Sequence, residues 1–214
     1  MNEQERAGEH LKTIRRLMER ATIYRAISAP TALVGGLLSL VASGIWLALT
    51  PSYSERRNHF LLLWLLVFLL TAGTNTLFIV LGAKKRDEPV FSASMKAAFG
   101  ALAPPFIVAA ILTALFAGAA SDPLNESALS ITWVICYGLG LLATSHFAPR
   151  SLTLLGWAFL VSGIAAVMWI RFGSDFLLRL LDARNSILFM AATFGLYHLI
   201  YAVCAWPRKA APEL

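Results

Sequence analysis

Six runs of about 20 residues, each with no Asp, Glu, Lys or Arg in its interior, decide what this chain can fold into. A helix of that length rises about 30 Å, the thickness of the hydrocarbon core of a bilayer. It also satisfies its own backbone N–H and C=O groups, which lipid cannot do. The runs predict spans over residues 30–49, 59–82, 97–119, 129–146, 152–170 and 187–205. Pro30 sets the first boundary, because proline disfavours helix at Ala29 and is at ease in a first helical turn. The expected fold class is all-α, a polytopic transmembrane helical bundle of about six spans. A composition that is 58% hydrophobic and 14% charged agrees, lying far from that of soluble domains. The chain divides into an amphipathic segment (1–29), a six-helix transmembrane domain (30–205) and a short tail (206–214).

Charge sets the orientation. Thirteen of the 18 Lys and Arg residues fall on one side of these spans, and only Arg56, Arg57, Arg171, Arg179 and Arg184 fall on the other. The basic side is the cytoplasmic one, so both termini are expected there. The net charge of +6 is thus explained by topology, and nucleic acid is not an expected partner. Within residues 1–25, Leu11, Ile14, Leu17, Met18 and Ala21 recur at helical spacing, with Lys12, Arg15, Arg16 and Arg20 around them. This reads as an amphipathic helix on anionic lipid headgroups, with a solvated helix leading into span one as the alternative. The charged start carries both signs and no signal-peptide pattern, so the first span is expected to stay. Residues 174–185, with Phe176, Leu177, Leu180 and Leu181 on one face, read as a second surface helix on the opposite side. Trp46, Trp64, Trp133 and Trp169 fall toward the outer ends of their spans and Trp206 at an inner end, the distribution of an interfacial belt. Cys136 and Cys204 lie in apolar runs and read as small fillers.

The chemistry is bounded mainly by what is missing. No predicted span holds an ionisable carboxylate or base other than histidine, which weighs against proton-coupled transport and carboxylate-pair catalysis. No metalloprotease, paired Cys-x-x-Cys or P-loop motif occurs, and Gly138-x-Gly140-x-x-Ala143 lacks the strand that a dinucleotide fingerprint needs. What remains is a layer of unusual residues at one depth. Asn75 and His198 each lie seven residues from the basic end of their spans, roughly 10 Å inside by helical rise. Pro104 and Pro105 fall at a similar height in span three, with Gly36 in span one and Tyr137 slightly higher in span four. Two prolines free the carbonyls of Gly100 and Ala101, and Asn75 and His198 are the expected donors to them, with Thr71, Thr74, Thr76, Tyr137 and Tyr201 extending the network. The layer is either a ligand pocket or the polar glue of packed helices. The expected catalytic and metal-ligating sets are both empty, and the cofactor is unknown: His146 and His198, the only pair near each other, are offset by roughly 10 Å in depth, which is awkward for a bis-histidine haem.

Two small-residue stripes allow close helix approach: Ala32, Gly36, Ser39 and Ser43 on span one, and Ala158, Ser162 and Ala166 on span five. The segment Ile14 to Ala21 with Tyr24-Arg25 and Pro30, then Tyr137-Gly138-Leu139 and Pro149-Arg150-Ser151 through Gly156-Trp157, resembles uncharacterised bacterial six-span inner-membrane proteins. The resemblance covers about half the chain and implies a bacterial cytoplasmic membrane; it carries no activity to transfer. The leading functional expectation is a non-catalytic accessory or regulatory module that binds a lipid, small molecule or protein partner. A small-molecule carrier or channel is the alternative, and a haem-binding or redox membrane protein comes third.

Overall fold

The computed structural model describes residues 29–49, 56–86, 93–118, 124–146, 148–172 and 183–206. The amphipathic segment with Lys12, Arg15, Arg16 and Arg20 and most of the surface helix expected at 174–185 lie outside these residues. Among the described residues there are six helical spans: α1 (Ala29–Leu49), α2 (Arg56–Arg86), α3 (Ala93–Gly118), α4 (Leu124–Ala143) and α5 (Arg150–Phe172), followed by a composite sixth. The sixth is α6 (Ala183–Met190), a π-helical segment (Ala191–Tyr197) and α7 (His198–Cys204). Among the described residues there is no strand. All six are long and apolar enough to cross a membrane, so the chain is a multi-pass helical membrane protein. The observed spans begin and end within a few residues of the expected ones; the first helix takes in Ala29, one residue before Pro30.

The packing order differs from the chain order. The sixth span lies between α1 and α4; α2 packs on α1, while α3 and α5 pack on α4. The least hydropathic of the six, α4, is also the most buried, as expected of a helix ringed by protein. The short link between α4 and α5 makes them antiparallel neighbours, and glycine brings them close. A Cβ on Gly138 would fall 2.8 Å from the backbone nitrogen of Leu160 and 2.9 Å from the carbonyl oxygen of Gly156. Gly140, two residues on, faces the other way, onto Leu102 and Phe106 of α3. The two glycines of the formal dinucleotide match are therefore packing positions on opposite sides of one helix.

The span-one stripe seals the bundle as expected: Ala32, Gly36, Ser39 and Ser43 are all buried, and Gly36 meets Leu199 and the carbonyl of Gly195. The span-five stripe does not. Ala158, Ser162 and Ala166 are only half-buried, and the seam runs instead through Gly156, Phe159 and Gly163, because glycine permits closer approach than alanine or serine. The tryptophans also divide. Trp157, Trp169 and Trp206 are exposed, but Trp46 and Trp64 are core residues around Phe60, which stacks on Trp133 at 6.1 Å. Ring area is better buried against other rings than held at the headgroups when helices converge there.

Candidate functional site

The sixth span carries the feature that the sequence did not announce. Seven residues, Ala191–Tyr197, are π-helical, a widening that shifts the backbone bonds to carbonyls one residue further back. Two side chains bond carbonyls at its ends. Thr193 Oγ1 donates to the carbonyl of Phe189 at 2.8 Å at the start, and His198 Nδ1 lies 2.9 Å from the carbonyl of Phe194 at the end. The His198 backbone N–H is directed to Gly195, which leaves the Phe194 oxygen for the imidazole. Gly195 itself is pressed on α1, where an added Cβ would come 2.6 Å from Leu40 Cδ2.

These bonds fix the histidine tautomer. A carbonyl only accepts, so Nδ1 carries the proton and Nε2 presents its lone pair. Tyr137 Oη of α4 lies 2.7 Å from Nε2 and must therefore donate to it. Adjacent on the chain, Tyr197 shares a hydrogen bond of 2.8 Å with Ser162 of α5. The end of the π segment thus ties the sixth span to α4 and α5 through consecutive residues. Around the pair, Tyr137 meets Phe159 at 4.8 Å and Phe194 at 5.1 Å, and Phe194 stacks parallel to the imidazole at 6.1 Å. Aromatic faces exclude water, so the hydrogen bonds act at low dielectric.

The expected layer is only partly assembled. Tyr137 and His198 meet, and buried Tyr201 lies one turn further along α7. His198 does not serve the carbonyls of α3, since both of its ring nitrogens are committed elsewhere. Pro104 and Pro105 sit within an unbroken helix, Pro104 on its exposed face and Pro105 half-buried. Thr74 and Thr76 turn back onto their own helix, bonding Leu70 and Ala72, as lone hydroxyls in apolar helices do. Asn75 stands apart from the pair. Its Oδ1 is enclosed but has no hydrogen-bond partner, and the same is true of Trp64 Nε1. Trp64, Phe68, Thr71 and Asn75 recur at steps of four, three and four and so share one face of α2. The face is inward at Trp64, which meets Phe194, and half-buried at Thr71, which meets Gly35, while Phe68 meets Phe106 from an exposed position.

One ionisable group lies where none was expected. Span four starts at Glu126, three residues earlier than the hydropathy run suggests, and Glu126 is 5% exposed in the first turn of α4. Negative charge is favoured at a helix N-terminus, where free N–H groups face it. Beside it, the Ser127 and Ser186 hydroxyls bond at 2.8 Å and link α4 to α6. A serine-rich approach, Ser121 to Ser130, hides this start in the sequence. Among the described residues, no group of three His, Cys, Asp or Glu side chains is placed to hold a metal ion. Comparison with protein-family models, curated proteins and solved structures yields no match. Within this arrangement Tyr137 and His198 bond to each other, while Asn75 Oδ1 and Trp64 Nε1 of α2 are enclosed without a partner.

Proposed function

We propose that the chain is a non-catalytic membrane module that receives an amphipathic small molecule or lipid inside its bundle and acts through protein partners on its basic side. The charge asymmetry and the resemblance of its spans support the bacterial cytoplasmic membrane, with the basic ends and both termini facing the cytoplasm. The observation that carries the reading is the pair of enclosed, unpartnered polar atoms, Asn75 Oδ1 and Trp64 Nε1, on one stripe of α2. Leaving an enclosed amide oxygen or indole N–H without a partner costs about 1–3 kcal/mol, a cost that a bound polar molecule would remove. A ligand with a donor near Asn75 and an acceptor near Trp64 satisfies both, with Phe68 and Phe106 along its apolar middle.

The test is native mass spectrometry of the protein purified in mild detergent, alongside its Asn75→Leu variant. A stoichiometric molecule retained by the wild type and lost by the variant supports the proposal. An empty wild type, with the two proteins differing only in stability, overturns it in favour of polar packing. A second reading, a small-molecule carrier, is favoured by the π-helical segment next to the same stripe, since irregular helices in mid-bundle are where transporters bind and move. It requires that proteoliposomes take up the retained molecule and that Gly195→Leu stop the uptake.

A further inference from the structure

The ends of α2 and α3 on the basic side are joined by six residues, too few to cross a membrane again, so Lys84, Lys85 and Lys96 stand on one face of the bilayer. All three are exposed. Neither helix contains an acidic residue; α2 ends on Arg86 and the connection brings Asp87 and Glu88, which leaves residues 84–96 net positive. Behind the lysines the two helices hardly pack on one another. Lys96, Phe99, Ala103 and Phe106 recur at steps of three, four and three on one face of α3. At the far end of that stripe Phe106 meets Phe68 of α2 at 6.2 Å. Between Lys96 and this ring contact, Phe99 is 56% exposed and Ala103 is exposed too, so protein leaves that face uncovered. The ten residues from Lys96 to Phe106 rise about 15 Å, half the hydrocarbon thickness. This is the reach of one acyl chain in one leaflet.

We propose that the α2–α3 seam is a binding site for an anionic phospholipid of the leaflet on the lysine side. The phosphate lies among Lys84, Lys85 and Lys96, and one acyl chain lies along Phe99 and Ala103 up to the Phe68–Phe106 contact. Charge complementarity selects the headgroup, and the closed top of the seam selects a chain that ends at mid-bilayer. The site uses neither Asn75 nor Trp64 and shares only the Phe68–Phe106 contact with the ligand stripe, so Asn75→Leu tells the two apart.

The experiment is thermal unfolding of the delipidated full chain in neutral detergent, titrated with phosphatidylglycerol, with phosphatidylcholine of the same chains, or with glycerol phosphate. Phosphatidylglycerol is expected to raise the midpoint at concentrations where phosphatidylcholine does little. A basic residue near an anionic surface is worth about a fivefold change in affinity, so Lys96→Gln weakens the phosphatidylglycerol response about fivefold, and K84Q/K85Q/K96Q abolishes the preference. Ala103→Trp, which fills the exposed seam without touching the lysines, removes the gain; Asn75→Leu leaves it intact. Equal responses to both lipids overturn the site, as does a preference that survives the triple substitution. A gain from glycerol phosphate equal to that from the lipid shows an anion site without a chain and overturns it too. Should the triple variant not fold, the Lys96→Gln and Ala103→Trp arms still decide.

Discussion

Gly138→Ala probes the closest approach of a glycine to the backbone of a neighbouring helix. The new methyl would sit 2.8 Å from Leu160 N, 2.9 Å from Gly156 O and 3.1 Å from Phe159 Cβ, whereas carbon packs comfortably at about 3.5–4.0 Å. Two of these obstacles are backbone atoms and cannot rotate away, so α4 and α5 must separate by several tenths of an ångström along their seam. Overpacking of this kind costs typically 1–3 kcal/mol, and rigid neighbours put this case near the upper end. Alanine recovers up to about 1 kcal/mol of helix propensity over glycine. The net expectation is a loss of about 2 kcal/mol, or roughly a thirtyfold fall in the folded-to-unfolded ratio. Equilibrium unfolding in mixed detergent and SDS micelles measures it. Two controls order the series. Gly156→Ala meets Leu141 Cβ at 3.0 Å, which moves only with its backbone, and Leu142 Cγ and Cδ2 at 3.1–3.2 Å, which can turn aside; with no backbone atom among these contacts and slightly longer distances it costs less, about 1 kcal/mol. Gly100→Ala meets nothing within 4 Å and is neutral or slightly stabilising. If Gly138→Ala proves as stable as Gly100→Ala, the α4–α5 seam is not closed by glycine and the reasoning fails.

Asn75→Leu removes an enclosed acceptor that has no partner, so the ligand-free protein should gain about 1 kcal/mol while losing any retained molecule, read by unfolding and native mass spectrometry in parallel. Tyr137→Phe and His198→Leu each break the interhelical bond; a double-mutant cycle should return a coupling of about 0.6–1.7 kcal/mol, and a coupling near zero would refute the assigned donor geometry. Gly195→Ala, with a Cβ 2.6 Å from the flexible end of Leu40, should cost about 1 kcal/mol, less than Gly138→Ala, because a leucine methyl can turn aside.

Much of the candidate site was readable at the level of depth. Helical rise alone put Asn75, Tyr137 and His198 near one height, and the structure joins two of them. Direction was not readable. Whether Asn75 reaches His198 depends on how α2 is rotated and which helix lies between them, and α2 packs on α1 rather than on α4. The same limit explains the stripes: Gly156, Phe159 and Gly163 share a face as well as Ala158, Ser162 and Ala166 do, and only a neighbour decides which face is used. The π segment left little trace, since Thr193, Gly195 and His198 are each ordinary in an apolar helix and their bonds and contacts come together only in the packed bundle.

The sequence by itself determined that this is a six-span helical membrane protein, because lipid cannot hydrogen-bond a backbone and a run of about 20 apolar residues has no other stable form there. It determined the sidedness of charge for the same reason, charge being costly to move through the core. Tertiary structure alone decided which helix stands beside which, the widening at Ala191–Tyr197, the Tyr137 donor to His198 and the unpartnered oxygen of Asn75. In a membrane every helix is apolar all round, so hydrophobicity no longer distinguishes the inner face from the outer one. Close fit between particular side chains, glycine against backbone and ring against ring, makes that choice.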